Sequence, residues 1–133
     1  MDFKEVPPAF LGSPVAFPVV LSGFGKRSRT FHTGIDVRTK GAQKAKVFAS
    51  GDGRVIFAGK MRGYGRTVLV RHKGGYKTRY AHLKNIKVKT GARLGKGDLV
   101  GWMGKTGRAS AIHLHFEVIH PSGKFIDPRP IFY

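Results

Sequence analysis

Glycine punctuation constrains this chain more than any other feature. Nineteen of its 133 residues are Gly, and they separate short apolar runs instead of interrupting long ones. Arg54-Val55-Ile56-Phe57-Ala58 lies between Gly53 and Gly59, and the stretch from Val88 to Gly104 sets apolar pairs between Gly91, Gly95, Gly97, Gly101 and Gly104. Glycine supplies the positive φ of tight turns, while β-branched and aromatic residues suit a pleated, half-buried surface. Apolar spacing of the helical kind is nearly absent. Thr67-Val68-Leu69-Val70-Arg71 and Tyr76 to His82 flank Lys73-Gly74-Gly75, which signals a hairpin. The pattern predicts an all-β fold, a compact antiparallel β-sheet domain. Pro7, Pro8, Pro14 and Pro18 break up the start, so residues 1–21 read as an irregular N-terminal extension and 22–133 as the domain. Val19-Val20-Leu21 is a candidate short strand.

Two clusters carry chemistry. His32-Thr33-Gly34-Ile35-Asp36 and His113-Leu114-His115-Phe116-Glu117 hold imidazole and carboxylate groups, the nitrogen and oxygen ligands zinc prefers. Residues two apart on a strand share a face. His113 and His115 therefore project together, with Glu117 farther along, while Leu114, Phe116 and Val118 point into apolar packing. Gly34 allows close backbone approach beside His32 and Asp36. His82 ends the strand Tyr80-Ala81-His82 and adds a fifth candidate. A catalytic zinc takes three protein ligands and leaves a position open, whereas a structural site is closed by four. The surplus fits a hydrolytic centre, which needs a base or proton donor beside its ligands. His72, beside the Gly74-Gly75 turn, and His120, before Pro121, read as solvated turn residues.

The net charge is +18, from 25 Lys and Arg against 7 Asp and Glu. Such a surface attracts polyanions: anionic cell-wall polymers, membrane surfaces or nucleic acid. Nucleic-acid binding through Lys, Arg and aromatics such as Phe24, Tyr64 and Tyr76 leaves the five histidine and aspartate positions unexplained, so no nucleic-acid partner is expected. Cysteine is absent, which excludes disulfides and thiolate metal sites. No run approaches the ~20 apolar residues of a membrane-spanning helix. The start of the chain lacks the basic-then-apolar pattern of an export signal.

The ordered set Ser22-Gly23-Phe24-Gly25-Lys26-Arg27, His32-Thr33-Gly34-Ile35-Asp36, Tyr80-Ala81-His82-Leu83, Gly104-Lys105-Thr106-Gly107-Arg108, His113-Leu114-His115-Phe116-Glu117 and Asp127-Pro128 resembles the lysostaphin-like, LytM-type zinc metalloendopeptidases of peptidoglycan. The likeness spans roughly residues 22 to 130. It implies a barrel-sandwich-like fold (a duplicated hybrid motif), a Zn2+ cofactor held by His32, Asp36 and His115, and catalytic roles for His82 and His113. One of those two would act as base and the other would steady the oxyanion. It further implies a peptidoglycan peptide substrate and an extracytoplasmic location, periplasmic or secreted, on an anionic wall. The chain would then be a catalytic domain cut from a longer exported protein. A non-catalytic module of the same fold, binding murein or activating another hydrolase, is the alternative. Ala111-Ile112 replaces the family's frequent Gly-Pro before the His-x-His pair. Lys26, Arg27, Ser28 and Arg29 occupy the region where some members carry a tyrosine. Val88 to Asp98 also resembles a stretch of lipoyl- or biotin-carrier domains, without their modified-lysine tip.

Overall fold

The computed structural model describes residues 5–41, 45–109 and 111–133. Residues 1–4 of the N-terminal extension lie outside them. Strands follow in the order β1 (Pro18–Ser22), β2 (Gly25–Lys26), β3 (Phe31–His32), β4 (Ile35–Thr39), β5 (Lys46–Phe48), β6 (Gly53–Met61), β7 (Gly65–Arg71), β8 (Lys77–Ile86), β9 (Arg93–Leu94), β10 (Leu99–Met103), β11 (Leu114–Ile119) and β12 (Phe125–Ile126). One helical turn, α1 (Arg129–Phe132), closes the chain. The all-β expectation holds, and every strand pair is antiparallel.

The main sheet runs β1-β4-β11-β8-β7-β6-β9, with β12 beside β11 and β10 joining β5 to β8. The predicted hairpin is the β7–β8 connection, whose Gly74 and Gly75 take positive φ. Along β11, Leu114, Phe116 and Val118 are fully buried with Ile35 and Val37 of β4 and Val68 and Val70 of β7. These side chains form the core on one side of the sheet. Leu11 and Val15, ahead of β1, are buried in the same core, and β1 pairs β4 from Pro18↔Thr39 to Ser22↔Asp36.

Strand β8 changes partners midway. Lys77–Ala81 pair with β11, and Leu83–Ile86 pair with β10. At the switch His82 adopts φ 62°, the left-handed region that non-glycine residues rarely enter. The β7–β8 register also slips there, between Arg66/Val68. Such a bulge re-aims a side chain, and here it turns the His82 ring toward His113, 5.1 Å away between centroids.

Candidate metal centre

Strand register assembles the site. His115 of β11 is the cross-strand partner of Asp36 on β4 and of Ala81 on β8, so residues 79 positions apart in the chain meet side by side. Gly34 makes the crossing possible: a Cβ there would stand 2.3 Å from the Phe116 carbonyl oxygen and 2.8 Å from Cγ of Glu117. His32, on the short ribbon β2–β3, reaches the same place. His113 sits just before β11, where its N–H donates to the Gly104 carbonyl. The fold thus gathers all five residues singled out in the sequence.

One carboxylate oxygen is the hub. Asp36 Oδ1 lies 2.9 Å from Nδ1 of His115, 3.3 Å from Nε2 of His32 and 3.5 Å from Nε2 of His113. His32, Asp36 and His115 each offer one ligand atom, all within 4.8 Å of one another. Zinc bonds of about 2.0–2.2 Å in a tetrahedron put neighbouring ligand atoms roughly 3.3–3.6 Å apart, close to the separations from Asp36.

The other ring nitrogens decide which atoms face inward. His32 Nδ1 donates to the Gly23 carbonyl (2.6 Å), His82 Nδ1 to the Thr106 carbonyl (2.6 Å) and His113 Nδ1 to the Ala111 carbonyl (2.8 Å). His115 is turned the other way, its Nε2 bonded to Glu117 Oε2 (2.9 Å). An imidazole that donates through one nitrogen presents a lone pair at the other. His32, His115 and His113 therefore aim acceptors at a carboxylate that is itself an acceptor, an arrangement only a proton or a cation reconciles. The donor set fits a zinc ion with an open position.

The charge preferences follow. Burial works against the charged form of Asp36, but with protons on the facing nitrogens of His113, His115 and His32 the hydrogen bonds they donate outweigh it and hold the carboxyl far below the usual carboxylate range. Burial also opposes charge on His115, yet Asp36 and Glu117 raise its pKa to about 9. The Asp36 hydrogen bond raises His113. Burial lowers His82, against the pull of the Thr106 carbonyl.

Glu117, which sequence reasoning placed on the right face without a role, joins the site through His115. It is fully buried. Its Oε1 accepts Nη1 of Arg79 at 2.5 Å, and its Oε2 accepts the Tyr64 hydroxyl (2.8 Å), Nε2 of His115 and the Thr33 hydroxyl. Burial opposes its ionisation, but His115, Thr33 and Arg79 keep its pKa below the ordinary value. Tyr64, considered above as a surface aromatic, faces inward beside His115, with ring centroids 5.8 Å apart.

His72 corrects the solvated-turn reading. The residue is 4% exposed; Nδ1 meets the Asp52 carbonyl and Nε2 the Thr78 hydroxyl, both at 2.7 Å. Thr78 in turn donates to Tyr80 Oη. The chain leaves β7 so that the imidazole folds beneath the turn, and burial lowers its pKa. His120, half-buried, does sit in a turn, bonded to Ser122.

A family model described as Peptidase family M23 matches residues 30–128. The DD-carboxypeptidase/endopeptidase Mpg of Neisseria meningitidis is 38% identical over 110 residues, covering 78% of this chain and 25% of the relative. The murein hydrolase activator NlpD of Salmonella typhimurium is 34% identical over 110 residues, covering 82% and 28%. A zinc-containing peptidase from Vibrio cholerae superposes with a TM-score of 0.80 at 36% identity, covering 90% of this chain and 39% of that one. The chain thus spans about a quarter of the length of these curated relatives.

Proposed function

The chain belongs to peptidase family M23, and from that premise we propose that it is a zinc-dependent endopeptidase hydrolysing peptide cross-links or stem peptides of bacterial peptidoglycan. Its place of action is then extracytoplasmic, at the cell wall. The observation that carries the reading is the convergence of lone pairs from His32, His115 and His113 on Asp36 Oδ1, with His82 beside them.

His32, Asp36 and His115 would hold the metal through Nε2, Oδ1 and Nδ1. Zinc in that position supplies Lewis acidity, polarising a scissile carbonyl and lowering the pKa of water. The remaining work belongs to the chain. His82 and His113 each have Nδ1–H tied to a backbone carbonyl, which fixes the ring and leaves Nε2 as the nitrogen available for proton transfer. One can take a proton from the attacking water at Nε2, and the other, protonated, can donate to the developing oxyanion and later to the leaving amine. Glu117 orients His115 by accepting its Nε2–H, the partner that metal-bound histidines ordinarily have.

The likeness to a murein hydrolase activator supports a second reading, a non-catalytic module of the same fold that binds murein or activates another wall hydrolase. Against it stands the full set of five site residues. One experiment separates the two. Purified protein loaded with zinc should release peptide fragments from peptidoglycan, read by mass analysis. His113→Ala should abolish release with zinc content near one per chain, whereas His115→Ala should lose the metal. Zinc binding without cleavage of any of several wall types would refute the peptidase reading and favour the module.

A further inference from the structure

One row of cross-strand partners in the main sheet is basic throughout. Arg93 of β9 pairs with Arg54 of β6, Arg54 with Arg71 of β7, and Arg71 with Lys77 of β8. Facing residues on adjacent antiparallel strands project from the same side. Their neighbours identify that side: Leu94, Val55 and Val70, each one residue along, are buried in the core, and Thr78 is buried beside them, so the row points outward. Arg93, Arg54 and Arg71 are exposed.

The metal-site side chains project from that same side of the sheet. Lys77 pairs with Ile119, and two residues along the same strands Arg79 pairs with Glu117; His115 follows two further on. At about 4.8 Å between strands the four cations span roughly 14 Å. Along β11 the rows of Ile119 and His115 are about 13 Å apart. The row and the metal centre are neighbours with no residue in common.

Among the described residues, none of the four makes an ion pair. Arg54, Arg71 and Arg93 line an open groove of about 590 Å³, joined by Lys73. Asp52 is the carboxylate in that lining, and its Oδ1 accepts the Lys96 N–H. Like charges placed directly opposite one another destabilise a sheet, and three successive like pairs leave a repulsion that a bound anion relieves. Guanidinium forks match the paired free oxygens of a phosphate group. The cations form a line, which suits an extended chain of charges better than a compact ion.

We propose that Arg93, Arg54, Arg71 and Lys77 form a binding row for a linear phosphodiester polymer without bases, laid across the strands beside the metal centre. Bases are disfavoured because the groove lining contains no Phe, Tyr or Trp, whereas single-stranded nucleic acids are held by aromatic stacking. A membrane surface is disfavoured because four cations attract an anionic leaflet by only about 1 kcal/mol each, and Ile56 is the exposed apolar side chain in that lining to add insertion. The row uses no group of the metal centre, so it stands or falls apart from the peptidase reading.

The test is fluorescence anisotropy with a labelled glycerol phosphate decamer titrated with the full chain over a range of salt concentrations. Four contacts predict a slope of log K against log salt of about −3. Arg54→Gln with Arg71→Gln should weaken binding about tenfold or more at low salt and halve the slope. Arg29→Gln with Lys40→Gln removes the same charge elsewhere and should leave affinity within about twofold. Equal weakening by that control would reduce the effect to net charge and overturn the proposal. So would absence of binding at the lowest salt, or tighter binding of a thymidine decamer, a glutamate oligomer or phosphatidylglycerol vesicles. If the glutamine variant does not fold, Arg54→Lys with Arg71→Lys keeps the charge and removes the forks. It should bind severalfold more weakly at an unchanged slope, and parent-like affinity would overturn the role of the arginines.

Discussion

Glu117→Gln is the substitution that probes the site's support most directly. Four donors converge on that carboxylate: Nη1 of Arg79, the hydroxyls of Thr33 and Tyr64, and Nε2 of His115. A glutamine offers one acceptor oxygen and an NH2 that only donates. However the amide turns, the NH2 meets at least one of the four donors, and Arg79 loses its counter-charge. Removing one partner of a buried ion pair costs about 3–5 kcal/mol. The Arg79 side chain keeps 15% exposure, which points to the lower end, about 3 kcal/mol. Unfolding entropy near 2.1 cal/mol/K per residue, taken over 133 residues, converts this into a fall in Tm of about 10 °C. Zinc affinity should drop about 10- to 100-fold, because His115 no longer has a carboxylate to fix its ring and raise the basicity of Nδ1.

Thermal melts followed by circular dichroism, with and without zinc, measure the first quantity, and competition against a chromophoric chelator measures the second. Arg79→Met supplies the contrast. It breaks the ion pair while leaving the acceptor of His115 in place, so it should lower Tm with zinc affinity within about threefold of the parent. A Glu117→Gln protein melting within about 2 °C of the parent, or binding zinc equally well, would refute the assignment of Glu117 as the support of His115.

Three further outcomes follow from the same geometry. Gly34→Ala would drive a Cβ against the Phe116 carbonyl; it should cost about 2–3 kcal/mol and weaken zinc binding by spreading β4 from β11, read by the same melts and chelator competition. Tyr64→Phe removes one donor to the ionised Glu117 and leaves the charge pairing intact, so a loss of about 1.5–2 kcal/mol with parent-like zinc affinity is expected from chemical denaturation. His72 is held below its unfolded pKa by burial. It therefore contributes stability that is present above about pH 6.5 and lost as pH falls through that value toward the folded pKa. The difference in stability between zinc-loaded parent and His72→Gln, measured from pH 8 to 5, should shrink on acidification, and a constant difference would contradict the buried-imidazole account.

Strand placement was largely legible because alternation and glycine punctuation are local signals. The sequence reading puts strands at Arg54–Ala58 and Thr67–Arg71, and the observed β6 and β7 contain them. The strand ending at His82 in that reading continues to Ile86, since a bulge with positive φ looks like a terminus when only propensities are read. The site residues were legible for a different reason. Histidine and aspartate at strand spacing are unusual enough to stand out. What could not be read was the set of contacts fixed by register between distant segments: Glu117 against Arg79, Thr33 and Tyr64, and the four backbone and carboxylate acceptors that set the histidine tautomers. A glutamate on the solvent-facing alternation of a strand reads as exposed; here the loop carrying Thr33, the turn carrying Tyr64 and the Arg79 side chain close around it.

Charge shows the same division between what composition states and what topology adds. A net charge of +18 sets the sign of an attracted partner and nothing about where it binds, because basic residues are scattered along the chain from Lys26 to Arg129. Register converts the scatter into an array. Arg54 and Arg71 become facing partners because β6 and β7 form a hairpin, and Arg93 joins them only because β9 returns to the outer edge of β6. A slip of one residue in either pairing would turn the arginines toward the core side, where Val55, Val70 and Leu94 now pack. Burial of those three side chains therefore fixes the basic row as firmly as burial of Leu114 and Phe116 fixes His115 beside Asp36. Both arrays are consequences of one apolar pattern, read on the opposite face of the sheet.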